Sequence, residues 1–290
     1  MSKNNVLSGK SFSGLDELFG DPLNANVSCN QVVYIPLCKI RAFKNHPFKV
    51  KDDDKMNETI QSIRENGILV PGIVRKIAQD EYELISGHRR KHACETLGLT
   101  EMPVIVKDLS DDEATIIMVD ANIQRETLDY SEKAYAFKMK FDALKHQGLK
   151  SESETADLIG TESGESGRQI RRYIRLTNLI PELLSLVDDK KIGFIPAVEL
   201  SYLSDEEQNI LYNLIDKSKV YPSLEQCKQL KQYSQNNQIT TALMENILIQ
   251  SSKEKKLSFS ASKISSYFPS GTTKAEMEQV ILELLQNWSH

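Results

Sequence analysis

The stretch "LISGHRRKHACETLG", residues 84–98, reads as the end of a buried strand, a glycine turn and the first turns of a helix. Gly87 permits the turn, and Gly98 stops a helix running from roughly His88 to Leu97. A helix start already offers unpaired backbone N–H groups and the positive end of its dipole. Arg89 and Arg90 add two guanidinium groups at that point, so the junction reads as a place where an anion is held.

The residues around it continue the same pattern. "QVVYIPL" predicts a strand from Val32 to Leu37, followed by the loop "KNHPFKVKDDD". "DKMNETIQSIRENG" predicts a helix with Met56, Ile60 and Ile63 on one face and Gly67 as its left-handed stop. "VPGIVRK", "YELIS" and "MPVIVKD" are short strands, and Ser110 with Glu113 forms a capping box before the helix "EATIIMVDANIQ". This mixture predicts an α+β domain over residues 31–128.

Beyond "RETLDYSEK" the strand signal ends. Asp129 and Glu132 can cap a helix carrying Ala134, Phe137, Phe141 and Leu144 at helical spacing up to Gly148. "SETADLIG" and "SGRQIRRYIRLTNLI" predict two further helices, and the pattern stays helical through residue 219. Residues 220–290 read as a small helical segment whose last helix carries Met277, Ile281, Leu284, Leu285 and Trp288 as an apolar stripe. That stripe fits either dimerisation or packing onto its own domain. Residues 1–30 are polar except for "GLDELFG", which reads as an arm carrying a docking peptide or as a tail with incidental apolar residues.

In composition, 290 residues with 40% hydrophobic and 27% charged side chains suit about two soluble domains. No apolar run approaches the ~20 residues of a membrane span, and the start lacks the apolar core of a secretory signal. Cys29, Cys38, Cys94 and Cys227 form no C-x-x-C pair, which argues against a zinc site and fits reduced thiols in a cytoplasm. A net charge of −5 allows a nucleic-acid binder only if its basic residues gather on one face.

"RQIRRYIR" gathers them in that way. Arg168, Arg171, Arg172 and Arg175 fall at i, i+3, i+4 and i+7 and share a helical face, while Ile170, Tyr173 and Ile174 lie away from it. With the preceding helix and turn this is the pattern of a helix-turn-helix, whose arginines and Gln169 would contact DNA. The plainer alternative is a solvated basic face. Glu162 and Glu165, in the turn, would repel phosphate, so the turn must point away from the DNA backbone or stay mobile. "DANIQRE" supplies Asn122, Arg125 and Glu126 at a helix end, a set able to hold a phosphate and its magnesium ion. His88 and His92 are spaced i, i+4, but without a third ligand they read as a solvent-facing pair. "KDDDK" reads as a solvated cap of the next helix rather than a cation site.

Read together, "SIRENGILVPGIV", "YELISGHRR", "MPVIVKDLSDDEA" and "ANIQRETLDYSEKA" resemble the ParB partition proteins in order and spacing, over roughly residues 31–205. The resemblance implies a ParB/sulfiredoxin-like α+β domain, then an all-α helix-turn-helix domain, with CTP as a clamp switch for plasmid or chromosome segregation. It places phosphates at Gly87, Arg89 and Arg90, magnesium (Mg2+) and phosphate at Asn122 and Arg125, and the base by Ser62 and Gly67, with His88 in the same motif. It further implies a homodimer on double-stranded DNA at a parS-like centromere site. "GLDELFG" resembles the peptide that contacts a ParA-type ATPase. The expected location is cytoplasmic, on nucleoid or plasmid, with no membrane partner.

The chain also departs from the family. His88 and Ala121 stand where glutamates are usual, so CTP hydrolysis is expected to be slow, with Glu126 as a substitute carboxylate. The usual Gln-Pro-Arg is represented by "HPFKV", leaving Lys49 either as the stand-in cation or as unrelated to it. A helix-turn-helix repressor with a decayed nucleotide site is the alternative. A sulfiredoxin-like reductase fits poorly because Cys94 lies in the helix rather than beside the His-Arg pair, and a kinase would leave the arginine-faced helix unexplained.

Overall fold

Ile73 and Val74, like Leu84 and Ile85, are adjacent apolar residues that a strand sends to opposite faces, and both faces are covered. The computed structural model describes residues 31–125, 128–148, 151–253, 267–269 and 271–288. Five strands, β1 (Val32–Pro36), β2 (Ile40–Ala42), β3 (Gly72–Ala78), β4 (Glu81–Ser86) and β5 (Glu101–Lys107), form one mixed sheet in the order β1-β5-β3-β4-β2. β3 runs parallel to β5 and antiparallel to β4, so the end of β4 and the loop before β3 meet at one rim. The short β2, parallel to β4, carries no pattern of its own and was not legible in the sequence.

Helices α1 (Asp54–Asn66) and α2 (His88–Thr96) cover one face. There Val74, Leu84, Met102 and Val104 pack with Cys94, beside a small cluster of Met56, Ile63 and Ala93. On the other face, Ile73 and Ile85 pack with Phe43, Phe48 and the apolar sides of α3 (Asp111–Ile123) and α4 (Tyr130–His146). Ser110 and Asp129 form the two capping boxes that start these helices, as their spacing predicts.

α4 is shared by two cores. Ala136 faces the sheet, while Phe137 and Phe141 pack with Ala156, Ile159, Ile170 and Tyr173 of α5 (Glu152–Ser163) and α6 (Gly167–Leu176). Lys140 on the same helix is buried and binds Asp120 of α3 and, at 2.6 Å, Glu162 of α5. A buried ammonium survives only with such partners. Glu162, though exposed, is thereby paired with a buried ammonium.

Helices α7 (Pro181–Asp188), α8 (Phe194–Leu200), α9 (Asp205–Ser218), α10 (Leu224–Gln235) and α11 (Thr241–Lys253) complete the second core. Leu183, Leu200 and Leu211 share one cluster with Leu230, Met244 and Leu248. The helical core therefore runs through Leu248, past the boundary expected at residue 219. The final helix, α12 (Lys274–Trp288), leaves Val280, Leu282, Leu284 and Leu285 exposed. "GLDELFG" and Glu126 lie outside the described residues.

Candidate nucleotide cleft and nucleic-acid interface

The left-handed Gly87 (φ 108°) N-caps α2, and a Cβ there would meet the backbone of Gly72 at 3.3 Å. Only glycine lets β4 turn into α2 so close to β3. The turn points Arg89 and Arg90 into a cleft of about 1200 Å³ bounded by α1, the loop before β3 and the end of α3. Ser62, Gly67 and Arg125 line the same space. Five residues marked from separate sequence motifs thus converge on one cleft.

The cleft is lined by seven cationic side chains, Lys49, Lys51, Lys55, Arg89, Arg90, Arg125 and Lys190, against four carboxylates, Asp53, Glu58, Asp129 and Glu132. Several are already oriented. Asp53 caps α1 by accepting from the Met56 N–H and receives Arg89 at 2.9 Å; Arg89 and that N–H hold its carboxyl below the usual range. The "KDDDK" run is therefore a cap and an arginine anchor. Arg90 donates to the carbonyls of Val70 and, at 2.8 Å, Pro71, bracing the cleft lip; burial lowers its basicity. Arg125 lies 6.0 Å over the Phe48 ring, and burial followed by the nearby Arg89 charge lowers its basicity. Desolvated guanidinium groups that repel one another would be relieved by an anion between them. Glu132 is buried and both its oxygens are taken, one by the Lys49 N–H at 2.8 Å and one by the Asp129 N–H at 3.1 Å.

Three marked residues do not line the cleft. Gly87 shapes it from below. Asn122 is buried, with its amide donating to the Met118 carbonyl at 2.7 Å. His88 turns inward and lies tilted against His46, with 3.8 Å between ring centres. The Nε2 atoms of both rings are buried without a hydrogen-bond partner, and burial drives the His88 pKa down to about 3. His88 is therefore neutral near pH 7. The expectation of a solvent-facing His88–His92 pair is corrected: His92 alone faces outward, bound to Asp52 at 2.8 Å. Among the described residues, no group of three or more His, Cys, Asp or Glu could hold a metal ion. The Asn122 amide is engaged by the Met118 carbonyl, and Glu126, the carboxylate expected beside it at magnesium, lies outside the described residues.

A second basic surface lies on α6. Gly164 (φ 73°) ends α5, and Ser166 caps α6 by accepting from the Gln169 N–H. A Cβ on Gly160 would sit 2.6 Å from the Glu165 carbonyl, so the turn packs directly on glycine backbone. Arg168 and Arg171 are exposed and Arg172 is half-buried, all lining one groove. Gln169 is half-buried, one helical turn before the buried Tyr173. Arg175 lines the same groove, as its spacing predicts, but is tied back rather than free. It donates to the Ser201 carbonyl at 3.0 Å and stacks 3.9 Å from the centre of the Tyr202 ring, tying α6 to the end of α8.

Comparison with known proteins meets this geometry. The family model for the ParB N-terminal domain matches residues 23–123. The chain carries a ParB N-terminal domain. Curated proteins similar to it include the chromosome-partitioning protein Spo0J of Thermus thermophilus (34% identity, 61% of this chain and 62% of that one). The probable chromosome 1-partitioning protein ParB of Deinococcus radiodurans is 33% identical over 62% of this chain and 60% of that one. The nucleoid occlusion protein of Listeria innocua is 32% identical over 62% and 61%. The chain thus spans about three fifths of the length of these relatives. Among solved structures it is similar to the C-terminally truncated ParB of Caulobacter crescentus complexed to the centromeric parS site. That likeness has 21% identity over 69% of this chain and 98% of the other, with a TM-score of 0.42. The ParB N-terminal domain supplies the cleft up to the end of α3, whereas the α6 surface lies outside the matched residues. Sequence reasoning did not mark Lys51, Asp129, Glu132 and Lys190 as cleft residues: Asp129 and Glu132 read as a helix cap, Lys51 as part of a solvated run, and Lys190 carries no motif signal.

Proposed function

We propose that this protein is a ParB-type DNA-partition protein that binds CTP in the cleft and a parS-like site in double-stranded DNA through α6. The observation that carries the reading is the convergence of Arg89, Arg90 and Arg125 with Ser62 and Gly67 in one cleft with excess positive charge. A triphosphate is the natural occupant of such a space. Cytosine selectivity rests on the resemblance of the motifs. Residues 31–128 form the nucleotide domain and 129–248 the DNA-binding domain, with α6 presenting Arg168, Arg171 and Arg172. α12, with its exposed apolar stripe, makes the homodimer, and the arm before residue 31 engages a ParA-type ATPase.

In this reading magnesium is carried by the phosphates and their waters rather than by a protein-built site. Hydrolysis is slow. His88 is neutral and faces away from the cleft, and the Glu132 oxygens are occupied by backbone N–H groups. Among the described residues, neither His88 nor Glu132 stands as an unengaged base toward the cleft. A repressor with a decayed nucleotide site would have no use for a cleft so charged.

The test is titration of labelled CTP and ATP with and without cognate DNA, on the wild type and Arg89→Ala. The expected result is CTP binding that Arg89→Ala weakens by about tenfold or more, as loss of a charge-assisted contact requires. Absence of triphosphate binding in the wild type would overturn it.

A further inference from the structure

Most of the cations in the cleft come from the sheet domain, but one comes from the helical half. Lys190 follows α7 and lines the same cleft as Arg89 and Arg125. Its placement is fixed by chemistry at the start of α4. The Asp188 carboxylate accepts from the Ser131 N–H at 2.9 Å and from its hydroxyl at 2.5 Å. It thereby satisfies a free donor of the first turn of α4 and pins the end of α7 beside the cleft.

Two residues on, the chain closes α7 with Lys190 in the left-handed region, φ 60°. Its N–H bonds the Val187 carbonyl at 3.0 Å, and the Lys191 N–H bonds Leu186 at 2.9 Å. Glycine is the usual residue at such a helix end, because any side chain there is strained. A lysine keeps the strained position here. Lys191 beside it is matched by Asp189 at 3.0 Å, whereas Lys190 has no carboxylate partner among the described residues.

We propose that Lys190 is a phosphate-binding residue, so that a triphosphate in the cleft is gripped by both halves of the chain. The inference rests on the nucleotide reading above. A strained cation, unmatched and held at the rim of an anion cleft by a dedicated anchor, has a use when a phosphate arrives. The contact would also tie the position of α7 to occupancy of the cleft.

The experiment compares binding of CTP, CMP and inorganic tripolyphosphate by the full chain and by Lys190→Gly and Lys190→Arg. Glycine removes the charge while relieving the backbone, so Lys190→Gly is expected to melt no lower than the wild type. It should bind CTP and tripolyphosphate about tenfold more weakly with CMP unchanged, and Lys190→Arg should restore most of the loss. Wild-type affinity in Lys190→Gly, or an equal loss for CMP, would overturn the inference and leave the nucleotide reading standing. A wild type that binds neither CTP nor tripolyphosphate would overturn both.

Discussion

The two basic surfaces hold their arginines differently. In the cleft the guanidinium groups are partly desolvated and held by internal partners: Arg89 by Asp53, Arg90 by two carbonyls, Arg125 over Phe48. On α6, Arg168 and Arg171 stand in solvent with no ion pair among the described residues, and only Arg175 is tied back. Preorganised, desolvated cations suit a compact anion of fixed geometry. Solvated ones suit a polyanion whose counterions are released on contact. On the proposed reading the same residue type would serve two chemistries, and what separates them is the surroundings.

The largest effect should come from the element that joins the two surfaces. Lys140→Met leaves the half-buried Asp120 and the exposed Glu162 without their cation, which should cost about 1–3 kcal/mol of stability. Denaturant unfolding measures it. A change below about 1 kcal/mol would mean that the two halves do not depend on this triad.

Paired substitutions sharpen the contrast directly. Arg171→Ala should weaken DNA binding and lower the salt slope by about one unit where the lost contact is to phosphate, leaving CTP affinity alone. Arg125→Ala should do the reverse, costing CTP about 1.5–3 kcal/mol with little change in intrinsic DNA affinity. Calorimetry for CTP and salt-dependent DNA titrations read both; crossed effects would erase the distinction. Arg175→Ala, by contrast, should lower thermal stability before it changes the salt slope, because Arg175 holds α8.

Smaller still is Gly160→Ala, which puts a Cβ against the Glu165 carbonyl and shifts the turn before α6. An overpacking cost of about 1–3 kcal/mol, partly offset by alanine's helix propensity, should appear in DNA affinity as well as in Tm, but not in CTP affinity.

The mildest test is pH. The unfolded His88 takes up a proton near 6.5, whereas the folded one, desolvated, resists protonation until about 3. Between those values the unfolded chain binds more protons, so stability is lost as pH falls from about 6.5 towards 3. His88→Phe keeps a ring against His46 and should flatten the slope of Tm against pH over that window. An unchanged slope would place the titration elsewhere.

The sequence alone determined the elements other than the short β2, and the arginine face. Helical spacing, strand alternation, the capping boxes at Ser110 and Asp129 and the glycine stops are local signals, written within a few residues of where they act. The anion junction at Gly87–Arg90 was legible for the same reason. Tertiary structure decided which charges meet. Asp53 and Arg89 are 36 positions apart, and Glu132 reaches back 83 to Lys49. Lys190 arrives at the cleft only because Asp188 anchors α7 on Ser131. His88 and Asn122 carry polar groups that a linear reading sends to the ligand and the fold turns inward. Arg175 shares a period with its neighbours, yet α8 packs close enough to claim it. Periodicity fixes the face on which a side chain lies, but its partners depend on which elements pack there, and those contacts span distances in sequence that no local pattern records.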